Sequence, residues 1–96
     1  MSEVITLMTP ITVGDETIKE ITLRRPTVAD TRKVGRLPYT FGKDGEVAID
    51  TDIAAKYISA CGAIPPSTVE KLDITDFQTL AYTVLGFFMV SARSSN

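Results

Sequence analysis

Ile21-Thr22-Leu23-Arg24-Arg25-Pro26-Thr27-Val28-Ala29-Asp30 ends a strand and opens a helix within ten residues, and its reading decides the fold. Ile21 and Leu23 alternate as a half-buried strand requires. Pro26 stops that strand, because it lacks the N–H that a ladder needs. Thr27 then caps a helix, with Asp30 three residues on, where a carboxylate meets the positive end of the helix dipole.

Upstream of this run, Val4 to Met8 reads as a strand, Pro10 interrupts it, and Ile11 to Val13 resumes it. Gly14-Asp15 is a two-residue hairpin signal, and Glu16 to Arg24 is the return strand. Ile18 is out of phase with Ile21 and Leu23, and a bulge near Lys19 or Glu20 would restore the alternation.

Downstream, the pattern predicts a short helix from Thr27 to about Arg36, anchored by Val28 and Val34, and a mobile loop over Tyr39–Gly45. A helix over Glu46–Cys61 is expected, with Gly62 just past its end. Its apolar positions cover about half the circumference, so it needs two packing partners. Ser67-Thr68-Val69-Glu70 matches a capping box opening a short helix. The last helix starts at Asp73, with Asp76 in its first turn and an apolar stripe of Phe77, Leu80, Ala81, Val84, Leu85 and Phe88. Tyr82, Met89 and Val90 lie off that stripe, with Phe87 at its border. A helix apolar on two sides needs a second surface to cover it. The expected architecture is α+β: an N-terminal β-hairpin followed by a small bundle of about four helices. Residues 1–96 read as a single domain, with a hairpin part over 3–25, a helical part over 27–90 and a frayed tail over 91–96.

Composition narrows the chemistry. The chain has 96 residues, a net charge of −2, one cysteine and no histidine. Without histidine, a Ser-His-Asp triad and a Cys-His pair are both impossible. A lone Cys61 builds no disulfide and no thiolate zinc site, and its place on an apolar helix face reads as buried and inert. The pairs Asp50/Asp52 and Asp73/Asp76 are explained by helix capping and dipole complementarity. No catalytic residue, metal site or cofactor is expected. The interspersed charges argue against general nucleic-acid binding; Arg24 and Arg25, with Arg32, Lys33 and Arg36, make one local basic cluster, which reads as a solvated helix face with local ion pairs ahead of the alternative, a phosphate-binding patch. Neither a signal peptide nor a membrane span is expected, since the apolar stretch Val84–Val90 is too short. Arg24 and Arg25 have two readings, ion pairing to Asp30 and contact with a partner.

The whole layout is similar to one known family. Pro10-Ile11, Gly14 and Ile18 through Leu23 lead into Leu23-Arg24-Arg25-Pro26-Thr27 and Asp30. Ile64-Pro65, Leu72, then Asp76 ahead of Phe77 and Leu80, and Phe87-Phe88 follow. This resembles the small tail assembly chaperones of contractile-tailed phages and Mu-like prophages, over most of residues 4–90. The run holding Leu23, Pro26, Thr27 and Asp30 is the most specific part. The resemblance implies a non-enzymatic protein of the bacterial host cytoplasm, absent from the mature particle. It would bind the tape measure protein, keep it soluble and help recruit the tail tube protein. It also implies a longer, frameshifted form, and self-association is compatible with the surplus of apolar helix surface. The partner-binding residues expected are Arg24, Arg25, Tyr82, Phe87, Met89 and Val90. The alternative is a structural tail completion or tube-associated subunit retained in the particle.

Overall fold

In the computed structural model, which describes residues 2–94 and side chains through Met89, the chain opens on an antiparallel ribbon. Strand β1 (Ser2–Val13) pairs with β2 (Glu16–Arg24). The turn Gly14-Asp15 has φ 62° at Gly14, and no other residue of the turn needs the left-handed region, as in a II′ hairpin. Ser2–Thr6 face Arg24–Glu20, and Ile11–Val13 face Ile18–Glu16. Between them Leu7, Met8, Thr9 and Pro10 stand opposite Lys19 alone. The irregularity thus falls where the out-of-phase Ile18 placed it, with the surplus residues on β1. Pro10, which has no N–H to contribute, sits where the ladder is interrupted. The odd offset lets Ile18 and Ile21 both turn towards the core despite their spacing.

Helix α1 (Val28–Val34) follows at once, its capping box made by Thr27 and Asp30 and its end by Gly35 at φ 90°. Val28, expected as an apolar anchor, is instead 75% exposed. The stretch predicted as a mobile loop is a second small hairpin, β3 (Tyr39–Phe41) with β4 (Val47–Ile49). Its turn is closed by the Gly42 N–H donating to the Glu46 carbonyl at 2.7 Å. Consequently α2 (Thr51–Gly62) starts later than Glu46, capped by the Asp50 carboxylate, which accepts from the Ile53 N–H at 3.2 Å.

The α2 terminus also differs from expectation. Ala63, not Gly62, takes the left-handed conformation, at φ 54°. Gly62 serves packing: a Cβ there would lie 3.0 Å from Ile21 Cγ2. An L-residue with a Cβ is strained at positive φ. Ala63→Gly is therefore expected to raise stability by roughly 0.5–1 kcal/mol in urea denaturation. The short helix α3 (Pro66–Val69) begins with Pro66 in its first turn and has no side-chain cap. The Ser67–Glu70 capping box is thus not formed; Ser67 lies inside the helix and Glu70 ends it.

Helix α4 (Ile74–Ser94) closes the fold. Asp73 caps it, accepting from the Thr75 N–H at 3.0 Å. The frayed tail expected over 91–96 lies, in its side chains and in residues 95–96, outside the described residues. As its wide apolar arc requires, α2 lies between β2 on one side and α4 on another, with α1 and α3 also against it. Leu23, Ala54, Tyr57, Ile58, Leu80 and Val84 are fully buried at this junction. The architecture is α+β: an N-terminal hairpin and four helices, with the second small hairpin between α1 and α2.

Candidate protein-binding surface

Two carboxylates hold the frame that presents the surface. Asp76, buried in the first turn of α4, accepts from the Met8 N–H and the Thr9 N–H, each at 2.9 Å. These amides belong to the interrupted stretch of β1, where β2 offers no acceptor. One side chain thus satisfies two backbone donors and fastens the ribbon to α4.

Asp30 organises the junction quoted at the outset. Its carboxylate takes both arms of the Arg24 guanidinium, at 2.7 and 3.0 Å, and accepts from the Thr27 N–H at 2.8 Å. The Arg24 hydrogen bonds, aided by those from Thr27, hold the Asp30 carboxyl well below the usual carboxylate range, against the opposing effect of burial. The Arg24 side chain is therefore committed to α1, although nearly half of it remains exposed.

The outward face of α4 is the surface so presented. A groove of about 780 Å³ runs along it, walled by Ser2 and Glu3 of β1 and floored by Thr79, Tyr82, Thr83, Gly86 and Phe87. Thr79 and Thr83 donate their hydroxyls back to the carbonyls of Thr75 and Thr79, at 3.1 and 2.7 Å. The groove floor is thereby left low and its hydroxyls internally satisfied. Gly86 adds to this relief, since a Cβ built there would meet nothing within 4 Å. Glycine inside a helix costs roughly 0.5–1 kcal/mol relative to alanine, and among the described residues no close approach requires it. Tyr82 stands 62% exposed at the groove.

Of the residues singled out in the sequence, Tyr82 and Phe87 share this groove. Met89 is half-buried outside it. The Val90 side chain lies outside the described residues. Arg25 lines a neighbouring cleft together with Phe87 and Phe88. Leu23 is fully buried, and Pro26 and Thr27 complete the strand-to-helix junction. Sequence reasoning missed Gly86, the contribution of β1 to the groove wall, and the bond between Asp76 and the β1 amides. The misplaced Ile18 and the proline within β1 were the available signals for the last.

An aromatic series supports the far end of α4. Tyr57 meets Phe88 edge-on at 5.6 Å between ring centroids, Phe88 meets Tyr39 at 6.0 Å, and Tyr39 meets Phe41 at 5.6 Å. Burial raises the ionisation of the Tyr57 hydroxyl above its ordinary value, so it stays a donor, to the Arg36 carbonyl at 2.6 Å. Burial likewise pushes the Cys61 thiol up to about 11. Because the thiolate is the reactive form, Cys61 is expected to resist a disulfide reagent such as DTNB in the native protein and to react at once in denaturant.

Among the described residues no cluster of three or more His, Cys, Asp or Glu side chains is placed to hold a metal, and no helix is long and apolar enough to cross a membrane. The profile of a family described as "Phage tail assembly chaperone proteins, E, or 41 or 14" matches residues 4–89. This chain belongs to the phage tail assembly chaperones. The match takes in the ribbon, the strand-to-helix junction and the groove-bearing part of α4. The role of such chaperones is assembly through protein contacts rather than catalysis. Neither a curated protein nor a solved structure matches the chain.

Proposed function

We propose that this tail assembly chaperone binds the tape measure protein in the host cytoplasm, keeps it soluble and helps recruit tail tube subunits, without entering the mature particle. The observation that carries the reading is the groove along α4 with its low floor and exposed Tyr82. Such a groove suits the apolar face of a client helix, which is recognised through anchors at helical spacing. Tyr82 and Phe87 are the central contacts, with Met89 and Val90 extending them along the helix. Arg25 and the exposed part of Arg24 supply the polar border. The same apolar surface would serve self-association when no client is present, and a frameshifted long form would carry the surface unchanged.

The test is co-expression with the tape measure protein of the same genome, followed by pull-down and a solubility assay. The wild-type chain is expected to co-purify with its client and rescue it from the insoluble fraction. Tyr82→Asp combined with Met89→Asp should lose most of that rescue while circular dichroism stays unchanged. A folded double variant with full rescue would remove the groove from the account. Finding the chain in purified particles at a fixed ratio would favour a retained structural subunit instead.

A further inference from the structure

Beside the α4 groove, on the other side of Phe87, lies a second cleft of about 220 Å³ between α1 and α4. Pro26, Val28 and Phe88 give it apolar walls, and Arg25 lines its rim. Arg32 lies one helical turn beyond Val28 and therefore on the same side of α1. Lys33 and Arg36 follow, all three exposed. Around α1, Arg32, Lys33 and Arg36 add three exposed cations to a chain whose net charge is −2. Asp30 is saturated by Arg24 and Thr27, and Asp50 reaches Arg36 only at 3.8 Å. Among the described residues, Arg32 and Lys33 meet no carboxylate. Val28, a large apolar side chain, is left 75% exposed at the cleft.

We propose that this cleft receives an acidic segment of a partner protein that carries a large apolar anchor residue. The anchor would cover Val28 and fill the space beside Phe88, while its flanking Asp or Glu side chains would meet Arg32. Charge complementarity selects the occupant: the rim is cationic, whereas the rest of the chain is acidic, so a like-charged or neutral segment gains nothing there. The apolar walls favour a peptide over a nucleic acid, which would need a continuous basic track along its phosphates. The cleft meets the α4 groove at Phe87, and apart from Phe87 and Arg25 the inference shares with the chaperone reading only the premise that this chain binds proteins.

Fluorescence anisotropy of the full chain with labelled synthetic peptides tests this. One peptide alternates Asp or Glu with Leu or Phe. A second replaces Leu and Phe by Ser, and a third replaces the acids by Lys. The first should bind, weaken as salt rises, and exceed the other two by roughly tenfold or more, equivalent to one step of about 1.4 kcal/mol. Arg32→Glu and Val28→Asp, both at exposed positions of α1, should each abolish most of that binding, whereas Tyr82→Asp should leave it intact. Amide shifts on titration should centre on Val28, Thr31 and Phe88. Equal binding of the Ser peptide, tighter binding of a single-stranded oligonucleotide, or unchanged binding by Arg32→Glu would each overturn the proposal. Loss of tape measure rescue by the groove variant, with peptide binding retained, would separate the two surfaces. Failure of the peptide with rescue intact would remove the cleft alone.

Discussion

Asp76→Ala is expected to lower the free energy of unfolding by about 3 kcal/mol, the cost of removing two hydrogen bonds to one charged acceptor. Both bonds are 2.9 Å long, and the carboxylate that makes them is 2% exposed. Alanine leaves the Met8 and Thr9 amides facing a buried gap. Water can recover only part of the loss, from the side where Met8 is exposed. Asp76→Asn is a sharper probe. A carboxamide has one accepting oxygen, so one amide regains its partner while the other faces an NH₂ group. Asparagine should therefore cost more than half as much as alanine, despite its nearly identical shape. Asp73→Ala, which removes an exposed cap at the same helix terminus, should cost only about 1 kcal/mol. Urea denaturation supplies the three values, and hydrogen exchange at Met8 and Thr9 should accelerate in the Asp76 variants alone. Equal costs for Asp76→Ala and Asp73→Ala would mean that Asp76 acts only on the helix dipole.

The second large effect depends on pH. The folded-state ionisation of Asp30 lies below its unfolded value, chiefly because of the Arg24 fork. A depressed carboxyl contributes stability that is fully present above its unfolded pKa, about 3.9, and is lost as pH falls towards the folded value. Asp30→Asn keeps an oxygen for the Thr27 N–H but no charge for Arg24. It is expected to cost about 2 kcal/mol at neutral pH, less than a fully buried pair would, because Arg24 is partly exposed. The gap between wild type and variant should be flat from neutral pH down to about 4 and should close below that. A gap that stays constant through the acid range would show that the ion pair contributes nothing and that the cap alone matters.

These two carboxylates also mark how far the sequence could be read. Asp30 was legible because its partners Arg24 and Thr27 lie within six residues and follow capping chemistry that depends on local spacing. Asp76 was legible only as a helix-terminal acid. Its actual partners are amides on β1: the out-of-phase Ile18 and Pro10 mark a broken ladder there, but nothing local says that α4 supplies the missing acceptor. The same limit explains the region between α1 and α2. Tyr39–Ile49 has glycines that suggest a loop, and its pairing depends on a turn closed by Gly42 and Glu46 rather than on strong strand alternation. For the candidate surface, helical spacing placed Tyr82 and Phe87 on the less-covered side of α4. The same spacing puts Gly86 on that side, but its part as a gap in the floor could not be found that way, nor could the wall from β1, since one is the absence of a side chain and the other comes from the far end of the sequence.

The bonds from Asp76 to Met8 and Thr9 join residues 68 and 67 positions apart, and this separation governs the order of events during synthesis. The ribbon leaves the ribosome first, and a two-stranded ribbon alone is at best marginally stable. Its surplus β1 amides lack their carboxylate acceptor until Asp76 of α4 has emerged. Docking of the ribbon therefore waits for α4, and closing the long intervening loop slows that step. Until then the apolar side of the ribbon and that of α2 stay exposed, so a chaperone of tail assembly itself passes through an interval in which its own apolar surfaces are uncovered.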